Sequence, residues 1–379
     1  MPQPLNIVMT VNAAWNIVNF RLPLVKALIG DGHRVTVLAP TDEAVAQLRE
    51  AGCEFVSLEM EKQGLNPLSE SALFLRFRAE LKRLRPDLVL SFTIKNNIFG
   101  ALAAKSLKIP FIPNVTGLGT AFLSGGLLLW IAKMLYSGAF RRLPVVFFRN
   151  SDDRELFLKL GTVEQPQALL LPGSGIDLGH FTPASYPEDQ TGTQFLMVAR
   201  LIRDKGVIEF VEAARLLKRE NSDLKFQLLG AIGFANRTSI DEALVEQWSD
   251  EGVIDYLGTS EDVRVQMAAA HCIVLPSYRE GAPRTLIEGA ALARPAIATD
   301  VPGCNAVVED GKTGFLCKVR DAADLARKMS RFSKLATQEK RIMGLSARKK
   351  IEREYSVELV IDGYREAINQ IAKGKSLIR

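Results

Sequence analysis

In the stretch REGAPRTLIEGAALARPAIAT, Arg279 to Thr299, two carboxylates, Glu280 and Glu288, stand on either side of a Gly-Ala-Pro in an otherwise apolar segment. Read with the residues before it, the segment parses as a strand from Cys272 to Leu275, a loop, a helix from about Pro283 to Ala293, and a strand from Ala296 to Thr299. Pro283 suits a first helical turn, where its missing N–H costs nothing, and Arg294-Pro295 closes the helix. Glu280 then lies in the loop before a helix N-terminus and Glu288 in the second turn. Backbone amides at Gly281, Ala282, Arg284, Thr285 and Leu286 make that N-terminus a place for an anion such as a diphosphate. Carboxylates do not hold phosphate, but they accept hydrogen bonds from sugar hydroxyls. Amides for a diphosphate beside carboxylates for sugars fit a nucleotide-sugar. Taken alone, the same glutamates also read as a helix cap and a solvated side chain.

A second group of residues lies in VARLIRDKGV, where Arg200 and Lys205 follow an apolar run. Two cations at the carboxyl end of a strand can neutralise a diphosphate as leaving-group charge grows, although each also reads as a solvated surface residue. The three histidines read as structural, His33 as a turn residue before a strand, His180 near the linker and His271 before a strand with no acidic partner evident, and no D-x-D occurs. A metal-held diphosphate is therefore not expected, and charge neutralisation falls to side chains and amides. Cys53, Cys272, Cys304 and Cys317 are scattered without a C-x-x-C pair, so neither a zinc site nor a disulfide framework is expected.

These residues need strands to position them. Apolar β-rich runs alternate with helical segments from the start: NIVMTV, RVTVLAP, EFVSLEM, DLVLSF, PFIPNVT and PVVFFRN. That is the βαβ rhythm of a doubly wound parallel sheet. The rhythm breaks at TPASYPEDQTGTQ and resumes with QFLMVAR, KFQLLG, VIDYLG, CIVLP and RPAIAT. At 379 residues two domains are expected. The reading is an N-terminal Rossmann-like domain over 1–181, a linker over 182–194 and a C-terminal Rossmann-like domain over 195–379. The last helix is a candidate to return to the first domain. Ligands of such sheets bind at the carboxyl ends of the strands, here in a cleft between the halves.

Hydrophobic residues make up 47% of the chain and charged residues 24%, the composition of an ordinary soluble globular protein. The start, MPQPLNIVMTVNAAW, has no secretory signal pattern, which with the cysteines suggests a reducing cytoplasm. Ile109 to Ala132 carries no formal charge, but its prolines and glycines read as strand, loop and helix start rather than a membrane span.

The net charge of +5 is unevenly placed: Ser71 to Arg149 holds 12 Lys/Arg against 2 Asp/Glu, a local net of +10. Such an asymmetry suits an anionic partner. In SALFLRFRAELKRLRP, Leu73, Phe74, Phe77, Leu81 and Leu84 share one helical face, with Arg76, Lys82, Arg83 and Arg85 largely elsewhere. LLLWIAKMLYSGAFRR adds Trp130, Lys133, Arg141 and Arg142. Both helices suit an anionic membrane interface, or pack on the sheet with a solvated basic side. Nucleic acid is not expected, because few aromatics accompany these cations and no binding module is recognisable.

The spacing from Glu280 to Glu288, together with VARLIRDKG, LPSYREGAPRTLIEGAALARPAIATDVPG and VEDGKTGFL, resembles the retaining glycosyltransferases of family four, which have a GT-B fold. The resemblance covers nearly the whole chain. It implies that Glu280 meets the donor sugar hydroxyls, Glu288 the nucleotide ribose, and Arg200 with Lys205 the diphosphate. It further implies that the helix amides and the first loop, Asn12 and Ala13, lie toward the donor. FRLPLVKAL, SFTIKNNIFGALAAK and NVTGLGTAF are similar to the branch that builds capsular polysaccharides and lipid-linked oligosaccharides, including polyprenyl-diphosphate N-acetylgalactosaminyltransferases. Acceptor contacts are expected near Gly117 and Gly119, and near Lys95 and Asn96, either of which could substitute for a histidine that the family often has after the fourth strand.

Two departures stand out. The family often has a Gly-Gly pair where this chain reads Asn12-Ala13-Ala14, and a histidine where it reads Thr93-Ile94-Lys95. The expectation is a cytoplasmic, peripheral membrane, metal-independent retaining glycosyltransferase using a UDP-sugar and a polyprenyl-diphosphate acceptor. A GT-B UDP-sugar epimerase, a transferase with a soluble or GDP-sugar substrate, and a non-catalytic nucleotide-sugar binder are the alternatives. An NAD-dependent oxidoreductase would need G-x-G-x-x-G after the first strand, and TVNAAWN lacks it.

Overall fold

The computed structural model of the chain describes residues 3–61, 67–117, 126–188, 192–233 and 238–376. Two compact units are present, one formed by Met1–Gly175 with Val357–Arg379, the other by Ile176–Ser356. The chain leaves the first unit between Gly175 and Ile176, rather than at residue 181, and returns between Ser356 and Val357.

In the first unit seven strands among the described residues form one sheet: β1 (Asn6–Thr10), β2 (Arg34–Ala39), β3 (Glu54–Ser57), β4 (Leu88–Phe92), β5 (Phe111–Val115), β6 (Val146–Phe148) and β7 (Ala168–Leu170). They run in the order β3-β2-β1-β4-β5-β6-β7. Neighbouring pairs are parallel, as in Ile7 against Val35 and Val89 against Phe111. β4 and β5 are buried along their whole length, which is why their sequences, LVLSF and FIPNV, show no alternation of apolar and polar residues.

Helices cover both faces. On one, Leu73, Phe77 and Leu81 of the helix Pro67–Leu84 meet Val89 and Phe111 in one core cluster. On the other, the helix Ala14–Gly30 and the last helix, Val357–Ser376, share a core through Ile17, Leu24, Val360 and Tyr364. Asn114 donates to the buried Tyr364 hydroxyl at 3.0 Å, and Arg365 reaches both oxygens of Asp31 at 2.7 and 2.8 Å.

Among its described residues the second unit has six strands: β8 (Gln194–Val198), β9 (Lys225–Leu229), β10 (Asp255–Tyr256), β11 (Cys272–Leu275), β12 (Ala296–Thr299) and β13 (Gly314–Cys317). Their order is β10-β9-β8-β11-β12-β13. Residues 182–188, read above as part of a linker, lie on this unit instead. Arg294, 0% exposed, donates to the carbonyls of Ala184 at 3.2 Å, Ser185 at 2.5 Å and Ala268 at 2.6 Å, and Tyr186 donates to that of His271 at 2.9 Å. A buried guanidinium needs such acceptors, and an irregular strap with free carbonyls supplies them. Two strands have no counterpart in the sequence reading, β7 and β13. β7 is a sheet edge whose Leu169 and Leu170 are exposed, so it lacks the buried run that marks its neighbours.

Candidate functional site

In the second sheet β8 and β11 are neighbours although far apart in sequence, so the strand order reverses between them. The loops leaving their carboxyl ends flank a topological switch point, where open parallel sheets bind ligands. The first loop carries Arg200 and Lys205, the second Glu280. Lys205 closes a short turn, Arg203–Lys205, and is followed by Gly206 at φ +77°. A Cβ at Gly206 would lie 2.6 Å from the Pro276 carbonyl carbon, so glycine alone lets the two loops press together.

Across this contact the Lys205 ammonium is ion-paired with Glu280 Oε1, to which Ser277 Oγ also donates at 2.7 Å. The Glu280 N–H donates to the Pro302 carbonyl at 3.2 Å, and Gly303, φ +84°, sits against the Glu280 backbone. Loops from three strands thus hold one carboxylate beside one ammonium. Arg200 stands exposed in the same loop as Lys205, its carbonyl accepting from the Ile202 N–H at 2.8 Å.

The helix after Glu280 runs from Arg284 to Ala291. Gly289 lets it lie close on β11, since a Cβ there would be 2.6 Å from Ile273 Cγ1. Thr285 Oγ1 donates to the Val198 carbonyl at 2.8 Å, tying the first turn to the end of β8. Glu288 is buried, and burial holds its carboxyl above the usual value, opposed by Arg284, whose Nε donates to Glu288 Oε1. Spacing of four along a helix allows this pair.

The Leu286 amide, expected to face an anion, instead donates to the Pro283 carbonyl at 3.1 Å, because the first turn closes on itself. The Ala282 and Thr285 amides make no hydrogen bond among the described residues. Gly281 lies beside them in the loop between Glu280 and the helix.

In the first sheet the order reverses between β1 and β4. Past the carboxyl ends of these strands lies a cavity of about 300 Å³, lined by Asn12, Met60, Thr93, Lys95, Thr116 and Gly117 among others. Three residues expected near substrates, Asn12, Lys95 and Gly117, are therefore together. Gly119 lies outside the described residues. Ala13 is extended at the start of the first helix, and its carbonyl accepts from the Asn16 N–H at 3.1 Å. Lys95 Nζ is 2.5 Å from Glu70 Oε1, on the helix Pro67–Leu84, and both side chains are mostly buried. No sequence signal linked these two.

Asn96 is a correction. It is 0% exposed, donates to Thr10 Oγ1 at 2.8 Å and accepts from Thr93 Oγ1 at 2.7 Å. The first hydrogen bond joins β1 to the turn after β4 and the second closes that turn on itself, so the residue braces the cavity instead of facing a ligand.

The basic residues are at the surface of the first unit. Lys82, Arg83, Lys133 and Arg141 are exposed, Arg83 is paired with Glu80, and Arg76 donates to the Glu59 carbonyl at 3.0 Å. Trp130 is 57% exposed and Met134 54%. His33 and His271 accept backbone hydrogen bonds from Leu5 at 3.2 Å and Gln194 at 3.1 Å. Among the described residues no helix is long and apolar enough to cross a membrane, and no cluster of three His, Cys, Asp or Glu is arranged to hold a metal.

Two family models match the chain: "Glycosyl transferase 4-like domain" over residues 18–173 and "Glycosyl transferases group 1" over 181–350. The chain is 30% identical over 336 residues to the N,N'-diacetylbacillosaminyl-diphospho-undecaprenol alpha-1,3-N-acetylgalactosaminyltransferase of Campylobacter jejuni, covering 84% of this chain and 87% of that one. It is 24% identical over 296 residues to an Escherichia coli UDP-Gal:alpha-D-GlcNAc-diphosphoundecaprenol alpha-1,3-galactosyltransferase, covering 74% and 75%. Among solved structures, Anabaena HepE in complex with UDP and glucose superposes with a TM-score of 0.79 at 18% identity, over 97% of this chain and 100% of that one.

Proposed function

The chain belongs to the glycosyltransferases of family four, with the GT-B fold, and on that premise we propose that it moves a hexose or N-acetylhexosamine from a UDP-sugar to a polyprenyl-diphosphate-linked saccharide, with retention of configuration. The observation that carries the reading is the Lys205–Glu280 pair at the switch point of the second sheet, with the buried Glu288 on the helix that follows. The choice of acceptor draws on the relatives from Campylobacter jejuni and Escherichia coli, whose names specify undecaprenyl-diphosphate sugars.

In this reading the diphosphate takes the Lys205 ammonium, the Arg200 guanidinium and the amides of Ala282 and Thr285. Glu280, relieved of part of its pairing, accepts hydrogen bonds from the donor sugar, and Glu288 accepts them from the ribose. As the bond from C1 to the diphosphate oxygen breaks, the developing negative charge falls on groups already in place, which is where most of the rate gain arises. The acceptor oxygen attacks from the same face. Its proton passes to the departing diphosphate oxygen, so no protein base is required and the protein's work is positioning and charge stabilisation. Arg200, Lys205 and the helix amides supply the positive field, so the proposal includes no metal and no other cofactor.

The cavity by Lys95 and Gly117 is the proposed acceptor contact, with Asn12 at its edge. The exposed Arg76, Lys82, Arg83, Trp130, Lys133 and Arg141 are the proposed contact with an anionic membrane, on the inner face of the cytoplasmic membrane. The test is a thermal-shift screen of UDP- and GDP-sugars, followed by turnover with a short-chain polyprenyl-diphosphate sugar with and without EDTA. Stabilisation by a UDP-sugar and EDTA-resistant transfer are expected. Conversion of the donor without acceptor would instead indicate an epimerase.

A further inference from the structure

The turns before β2, β3, β4, β5 and β6 each place a residue at positive φ shortly ahead of the strand, and its type changes from turn to turn. Before β2 the turn residue is Gly32, φ +88°, and before β3 it is Gly52, φ +89°. Each is bracketed by the same hydrogen bonds, His33 N–H to the Leu28 carbonyl and Cys53 N–H to the Leu48 carbonyl, both at 3.0 Å. This is the usual left-handed stop of a helix, and glycine is its usual residue because any Cβ is disfavoured there.

Before β5 the same turn recurs, with Ile109 N–H donating to the Ala104 carbonyl at 2.9 Å, but the left-handed residue is Lys108, φ +57°. Before β4 the positive-φ residue is Arg85, φ +47°, followed by Pro86, which has no N–H to close the turn, and before β6 it is Arg142, φ +65°, followed by Leu143, whose N–H donates to the Phe140 carbonyl at 3.1 Å. β4, β5 and β6 are consecutive in the sheet. Three exposed cations therefore line one edge at neighbouring strand positions, each where glycine would be the cheaper choice. Neighbouring strands are about 5 Å apart, so the row is about 10 Å long. None of the three is ion-paired among the described residues, and the nearby Asp87 carboxylate is turned to the Asn6 N–H at 3.0 Å.

Between the second and third cations lies a groove of about 480 Å³. Its walls include Ile109, Pro110, Leu143, Pro144 and Ile371, and its charged residues are Lys105, Lys108, Arg141 and Arg142, with no carboxylate among the described residues. This edge is at the amino ends of the strands. Lys95 and Gly117 follow the carboxyl ends of β4 and β5, so the groove is separate from the cavity described above.

We propose that this edge binds an anionic phospholipid of the membrane surface, its phosphate on Arg85, Lys108 and Arg142 and its hydrocarbon against the apolar groove. The charge pattern calls for an anion, the groove for a chain attached to it, and the left-handed cations for a selective reason to forgo glycine. The inference extends the membrane part of the proposed function by naming a lipid site at the amino ends of β4, β5 and β6, where the chain leaves the two basic helices.

The test is the triple variant Arg85→Gly, Lys108→Gly, Arg142→Gly, with co-sedimentation on vesicles of phosphatidylglycerol and of phosphatidylcholine at low salt. Because glycine is the unstrained residue at all three turns, the melting temperature should stay level or rise. Binding to phosphatidylglycerol should fall about 100-fold, the effect of removing three surface cations. A second variant, Ile371→Gln, should reduce the part of the binding that survives high salt. Donor turnover on a short-chain soluble acceptor should be unchanged in both, which separates failure of this site from failure of the proposed transferase activity. Wild-type binding to phosphatidylglycerol by the triple variant would overturn the proposal. So would equal binding of the wild type to phosphatidylglycerol and phosphatidylcholine vesicles at low salt.

Discussion

Gly303→Ala tests how the backbone places Glu280. Gly303 has φ +84° and ψ −44°, and a Cβ added there would lie 2.6 Å from the Glu280 carbonyl carbon. Two costs follow. A left-handed backbone with a Cβ costs about 1–2 kcal/mol, which for a protein of this size lowers the melting temperature by about 2–4 °C per kcal/mol. Non-bonded carbons pack at about 3.5 Å, so the Glu280 loop must also retreat by about 1 Å. That retreat pulls the carboxylate away from Lys205 and Ser277, and a displacement of about 1 Å typically costs about 100-fold in turnover.

Gly311→Ala is the matched control: it has φ +74° in the same unit, but nothing lies within 4 Å of its Cβ. Transfer kinetics, melting temperature and calorimetric UDP affinity should be measured in both. Both variants should lose stability, and only Gly303→Ala should lose kcat. UDP affinity, which in the proposed function rests on Lys205, Arg200 and Glu288 rather than on Glu280, should stay near wild type in both. Equal kcat in the two alanine variants would refute the reasoning.

Further predictions concern the side chains themselves. Glu280→Gln should lower kcat by about 10²–10³-fold with UDP affinity retained, since the lost contact strengthens only as the glycosidic bond breaks; unchanged kcat would contradict its role. Glu288 is held above its ordinary carboxyl value by burial, so the folded state binds its proton more tightly than the unfolded chain does. The stability this gives is complete below the ordinary value and is lost as pH rises through the raised one. Glu288→Gln should therefore flatten the acid-to-neutral part of the urea-denaturation profile, and an unaltered profile would contradict the burial argument. Glu70→Gln removes the counter-charge that holds Lys95 over the first-unit cavity, and should raise the acceptor KM about tenfold, the usual scale for one charged hydrogen bond, without changing UDP affinity. A change in UDP affinity with acceptor KM intact would move that cavity to the donor side.

The strands that carry the site were legible because parallel sheets buried on both faces write themselves as continuous apolar runs. CIVL and AIAT coincide with β11 and β12, and the helix between them differs from the sequence reading only at its ends. The carboxylates were legible because they stand just beyond such runs. What escaped reading depends on partners distant in sequence. Lys205 meets Glu280, Lys95 meets Glu70, and Arg294 meets the carbonyls of Ala184 and Ser185, and no periodicity joins these residues. Asn96 was misread for the same reason, since its partner Thr10 is on another strand. Proline and serine made residues 182–188 resemble a free linker, while the buried guanidinium that anchors them looked like a helix end.

The most direct measurement is the mass and anomeric configuration of the product formed from a UDP-α-N-acetylhexosamine and a short-chain polyprenyl-diphosphate sugar, followed by NMR and mass spectrometry in the presence of EDTA. The account predicts one added sugar in α linkage with stoichiometric release of UDP. A β-linked product, transfer that requires added Mn²⁺ or Mg²⁺, or conversion of the donor sugar without acceptor would contradict it.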